Sequence, residues 1–108
     1  MTSAALVPVF AALGDETRWS ILEALSAGEA SASALAERLP VSRQAIAKHL
    51  AVLHQVGVVD TVPVGREVRY RVIGERLAAT ARSLDAVGAA WDDRLAGIKQ
   101  IAEELREA

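Results

Sequence analysis

Arg43, Gln44 and Lys48 stand close together in PVSRQAIAKHLAVL, residues 40–53, interleaved with Ala45, Ala47 and Ala51. Arg and Gln present paired polar atoms that match the edges of bases, and Lys adds a mobile ammonium for phosphate or guanine. At helical spacing Arg43, Gln44, Ala47, Lys48 and Ala51 fall on one face. Ile46, Leu50 and Leu53 fall on the other, flanked by Ala45, His49 and Val52. The small alanines keep the polar face low, so a backbone can approach a groove and a methyl can touch thymine. A correct bidentate contact from Arg43 or Gln44 contributes about 1–3 kcal/mol of discrimination between bases. An ordinary solvated helix face is the competing reading.

A second cationic group follows. Arg66 sits in a Gly-Arg turn, and Arg69 and Arg71 share one face of the strand pattern EVRYRV. Such a hairpin tip suits phosphate or minor-groove contact. Charges on an edge strand also guard against aggregation, and Arg71 fits that structural role equally well. The remaining titratable residues point away from catalysis. His49 and His54 lie off the i, i+4 spacing of helical metal pairs, and without cysteine no thiolate ligand or nucleophile exists. His49 flanks the apolar face, where a packed, hydrogen-bonded imidazole competes with a DNA contact. Asp92-Asp93 and Glu103-Glu104 have no companion base and read as a solvated helix side. Neither a nucleophile–base pair nor a phosphate loop can be assembled, so no enzyme, metal site or cofactor is expected.

The net charge is −2, which alone argues against nucleic acid, but its distribution matters more. Residues 42–71 carry five bases against Asp60 and Glu67, a local excess of +3. Both flanking segments are acidic. With 108 residues, 52% hydrophobic and only 4% aromatic, an aliphatic core of one small domain is expected over residues 1–108. No run reaches bilayer-spanning length and ALVPVFAALG is too short for a signal peptide, so a cytoplasmic protein with no membrane partner is predicted.

The elements that would position these residues are mostly helical. A short first helix is predicted from Leu6 to Leu13, with Pro8 in its first turn and Gly14 as its stop. Asp15 caps a second helix with the apolar stripe Ile21, Leu22 and Leu25, ending at Gly28. A third starts near Ser31 or Ser33, and Pro40-Val41 leads to Ser42, which caps the fourth. Two helices joined so tightly make a helix-turn-helix over 31–56. After Gly57 the period becomes two, predicting a hairpin wing over 58–73, with Pro63 marking its first strand as an edge.

From Glu75 a last helix is predicted over 75–106. Leu77, Ala81, Leu84, Gly88, Trp91, Leu95, Ile98, Ala102 and Leu105 keep an unbroken 4-3 spacing. This seam, about 42 Å long, exceeds what a small domain covers, so a second copy of the chain is the expected partner. Trp19 and Trp91 are expected to pack, Trp91 at the dimer seam, with a share in a ligand pocket as the lesser alternative. A kink near Gly88 stays open.

Together the runs LGDETRWSILEAL, ALAERLPVSRQAIAKHLAVLHQVGVV and GREVRYRV resemble the ArsR/SmtB family of winged-helix repressors, over roughly residues 7–73. The resemblance rests on Asp15, Thr17 and Arg18; on Ser42, Ile46, His49 and Leu50; and on the Gly-Val-Val leading into a Gly-Arg wing. It implies a mainly α fold with a small β-hairpin, a homodimer through the first and last helices, and a recognition helix in the major groove. The implied contacts with double-stranded DNA come from Ser42, Arg43, Gln44, Lys48 and His49, with Arg66, and by the strand argument Arg69, on the wing. Leu6, Phe10, Leu84, Trp91, Leu95 and Ile98 are the expected dimer contacts. Ala47 replaces a serine common in the family, removing one phosphate-facing hydroxyl. Ser31 and Ser33 stand where metal sensors carry C-x-C, and the last helix has no His, so no metal is expected at either place and any small-molecule effector is unknown. The expected function is a sequence-specific transcriptional repressor on a palindromic operator. The alternative is a winged-helix protein-interaction module that does not bind DNA.

Overall fold

The computed structural model describes residues 3–107; residues 1, 2 and 108 of the expected 1–108 domain lie outside it. The chain order is α1 (Ser3–Leu13), α2 (Glu16–Ser26), β1 (Ala30–Ser31), α3 (Ala32–Arg38), α4 (Arg43–Gln55), β2 (Val59–Val64), β3 (Glu67–Val72) and α5 (Gly74–Glu107). This is the expected mainly helical fold with a β-hairpin.

Side chains open each of the three central helices. Asp15 Oδ2 accepts from the Arg18 N–H at 2.9 Å, Ser31 Oγ from Ala34 at 3.1 Å and Ser42 Oγ from Ala45 at 3.2 Å. Each satisfies one amide that the helix ladder leaves free. Of the two candidate serines, Ser31 is therefore the cap of α3. The first helix departs from expectation: it begins at Ser3, and Pro8 lies inside it. Ala4 and Ala5 are strong helix formers, and Pro8, in the second turn, removes the one ladder bond its N–H would have given to the Ala4 carbonyl.

Ile21, Leu22 and Leu25 of α2, Leu35 of α3, and Ile46, Leu50 and Leu53 of α4 form the core with Val9, Ala12, Ala30, Val58 and Val59. Tyr70, Val72 and Leu77 close its edge. Aliphatic burial at about 25 cal/mol per Å² drives this packing. The strand order is β1-β3-β2, all antiparallel. The short β1, which carries no periodic signal, pairs Ala30 with Tyr70 and Ser31 with Arg69. It ties the start of the helix-turn-helix to the wing. Pro63 lies on β2, one of the sheet's two edge strands, where its missing N–H interrupts no central ladder.

One uninterrupted helix, α5, runs through Gly88 and Gly97. At 1.5 Å per residue it is about 51 Å long. It stretches the molecule to 74 × 28 × 22 Å. Leu77 and Thr80 pack on the body, whereas every residue from Leu84 to Glu107 is exposed. Among the described residues no helix is long and apolar enough to cross a membrane.

Candidate nucleic-acid interface

The tight Leu39–Ser42 connection lets α3 pack against α4 and turns the first residues of α4 outward. Ile46, Leu50 and Leu53 are fully buried, while Arg43, Gln44, Ala47, Lys48 and Ala51 are exposed. Ser42 is exposed too, its hydroxyl engaged in the cap. Among the described residues no acid comes within ion-pair distance of Arg43, Lys48 or Arg66.

The wing supplies a second wall. Val64 pairs with Glu67, leaving Gly65 and Arg66 as a two-residue turn. Gly65 has φ +60°, a left-handed value that costs a glycine nothing, and Arg66 follows at negative φ. This is the sign pattern of the II′ turns that suit twisted hairpins. Between wing and helices lies an open cleft of about 820 Å³ lined by Ser33, Arg43, Gln44, Ala47, Arg66 and Tyr70 among others. The structure thus brings Arg43, Gln44 and Arg66 to one concave surface.

Arg69 and His49 are engaged elsewhere. The Arg69 guanidinium lies 3.4 Å from Glu29 and 3.5 Å from Glu67, half-buried beside the β1 end of the sheet. Arg71 is held by Asp60. That bond, with the neighbouring positive charge, keeps the Asp60 carboxyl below its ordinary range. His49 is partly buried and turns Nδ1 toward Arg18 at 3.3 Å and Asp15 at 3.8 Å. The Asp15 carboxyl is likewise lowered, first by the Arg18 amide it caps and then by the Arg18 charge. The Arg18 connection went unforeseen: its signal was the D-x-T-R spacing, but its partners are distant in the chain.

The expected dimer contacts occupy a separate surface. Phe10 is 37% exposed, Leu6 is half-buried, and Leu84, Trp91, Leu95 and Ile98 are each more than half exposed. Trp19 does not pack as expected; the residue is 52% exposed, because α1, α2 and α5 enclose a groove there and leave it open. Trp91 is equally open, with the Arg94 guanidinium 4.7 Å above its ring. Among the described residues no group of three or more His, Cys, Asp or Glu side chains could hold a metal ion.

A helix-turn-helix domain family model matches residues 13–62, the span from the end of α1 into β2. An ArsR-like transcriptional regulator from Rhodococcus sp. RHA1 is 63% identical, covering 92% of this chain and 93% of its own, with a TM-score of 0.82. The HTH-type transcriptional regulator Rv2034 of Mycobacterium tuberculosis is 37% identical over 85% of this chain and 83% of its own. A homodimeric winged helix-turn-helix DNA-binding domain from Mycobacterium bovis, a possible ArsR-family regulator, is 27% identical. It covers 85% of this chain and 82% of that one, with a TM-score of 0.65. Proteins of this kind regulate transcription through DNA rather than catalyse reactions. On the fold, the two walls of the cleft and these relatives, the chain belongs to the ArsR/SmtB family of winged helix-turn-helix transcriptional regulators.

Proposed function

We propose that the protein is a repressor that binds a palindromic operator as a homodimer and competes there with the transcription machinery. In this reading Arg43, Gln44 and Lys48 meet base edges in the major groove, while Ser42 and Arg66 meet the phosphate backbone. Arg69 and His49 play secondary parts, since each has protein partners of its own. Two copies join through α1 and α5, and their reading helices address half-sites about one helical turn apart. The observation that carries the reading is the division of α4. Its long polar side chains stand exposed beside small alanines, across a cleft from Arg66. Although Glu37 and Glu67 also line that cleft, no acid among the described residues comes within ion-pair distance of them. The homodimeric M. bovis relative supports the pairing.

Selection from a random duplex pool, followed by titration of the recovered site at several salt concentrations, tests this. A paired, inverted site and a linear log–log loss of affinity with salt are expected. Recovery of no preferred sequence, or affinity indifferent to salt, would refute it.

A further inference from the structure

Arg18 lies in the first turn of α2, yet its guanidinium serves the helices on either side. Nε donates to the Ala12 carbonyl at 2.7 Å, and the same group reaches the Ala11 carbonyl at 3.5 Å. Both carbonyls belong to the last turn of α1, where the helix ladder has no further amides to offer. The remaining nitrogen, Nη1, meets Nδ1 of His49 on α4 at 3.3 Å. A guanidinium can only donate, so Nδ1 must accept, and the neutral imidazole carries its proton on Nε2. Asp15 does not displace this bond. Its Oδ2 stands 3.8 Å from Nδ1, beyond hydrogen-bond reach, and already accepts from the Arg18 amide.

We propose that Arg18 is a positioning residue that couples the dimer helix to the reading helix, and so fixes the separation of the two reading heads. The inference rests on the dimer-on-DNA reading above. Leu6 and Phe10 of α1 belong to the surface expected to meet the second copy, whereas the exposed face of α4 carries the reading groups. In a two-fold dimer any tilt of α4 relative to α1 occurs twice, with opposite sense, and changes the distance between heads by double the amount. Arg18 bonds to the end of one helix and the middle of the other. An isolated half-site is indifferent to that coupling; a pair of half-sites at fixed spacing depends on it.

The test uses the whole chain, as wild type and as Arg18→Gln. The DNA is one set of duplexes with a single recovered half-site and one with two inverted half-sites at varied spacing. Wild type should prefer a narrow range of spacings. Arg18→Gln should accept a broad range and lose affinity at the preferred one, while binding the single half-site as before. Equal losses on single and paired sites, or an unchanged spacing preference, overturn the proposal.

Histidine ¹⁵N spectra of the free protein provide a readout without DNA. Nδ1 of His49 should be unprotonated in wild type and a mixture of tautomers in Arg18→Gln. Protonated Nδ1 in the neutral wild-type ring overturns the coupling whatever the DNA results. Should Arg18→Gln fold poorly, His49→Asn, which keeps an acceptor near the Nδ1 position, should retain the narrow spacing, and His49→Leu should not. Identical spacing preferences in those two variants would also overturn it. A wild type blind to spacing refutes the dimer reading beneath, and this inference with it.

Discussion

Asp60 on β2 and Arg71 on β3 stand directly opposite each other, and Arg71 Nε donates to Asp60 Oδ1 at 2.7 Å while its Nη2 donates to Oδ2 at 3.2 Å. The forked contact directs Arg71 across the sheet and away from the tip, where no acid among the described residues comes within ion-pair distance of Arg66. Arg66→Ala should therefore weaken specific and random duplexes alike and lower the salt slope by about one unit. Arg71→Ala should leave that slope where it was. Titrations over a range of salt concentrations compare the two; an equal drop in slope from both changes would show that Asp60 does not withhold Arg71 from phosphate.

Arg43 should behave differently from either. It opens α4, the end of a recognition helix that faces base edges, and its side chain is exposed. Arg43→Ala should cost roughly 1–3 kcal/mol on the preferred site relative to random DNA and relax the preference at one or two base pairs. Competition between specific and random duplexes measures the difference. Equal losses on both would reduce Arg43 to a phosphate contact.

Acid should loosen the same pairs. The Asp60 carboxyl is held below its ordinary range chiefly by the hydrogen bond from Arg71, and that of Asp15 by the Arg18 amide. A carboxyl lowered by folding stabilises the native state at every pH above its unfolded titration range. That contribution disappears as pH falls through the lowered folded value. Urea midpoints should thus be insensitive to these two groups from neutrality to about pH 5 and decline below about pH 4. Asp60→Asn should make the decline shallower. Both carboxyls are only partly buried, so added salt should shrink the effect. An acid slope identical in wild type and Asp60→Asn would mean the pair contributes nothing to stability.

The division of α4 into a buried and an exposed face was legible in the sequence because a 3.6-residue period sorts thirteen residues almost without exception. The caps at Asp15 and Ser42 and the Gly65-Arg66 turn were legible for a similar reason: each depends on one residue type at one offset. Other features depend on residues far apart in the chain. Arg69 meets Glu29 because β1 pairs with β3, and a two-residue strand leaves no pattern to read. His49 meets Arg18 because α2 packs on α4, although both residues sat in recognisable motifs. Trp19 looked like core by composition and lies open because the groove between α1, α2 and α5 has no lid within one chain. The continuity of α5 through Gly88 could not be read either, since glycine weakens a helix by only about 1 kcal/mol and context decides.

Trp91 offers the sharpest test of how α5 is used. It lies on the 4-3 seam with Leu84, Leu95 and Ile98, all more than half exposed, and Arg94 covers one face of its ring. An exposed apolar seam of this length on a small protein calls for a partner helix, and a tryptophan near its middle is the natural anchor. Trp91→Ala preserves helix propensity, so the circular dichroism spectrum should not change. Losing an anchor costs about 2 kcal/mol or more, which weakens dimerisation roughly thirtyfold. Sedimentation should then show monomer at concentrations where wild type is dimeric. Affinity for a single half-site should persist, while affinity for the paired site should become steeply dependent on protein concentration. If Trp91→Ala sediments as wild type does, the dimer is held elsewhere, and the exposed half of α5 must serve a different partner.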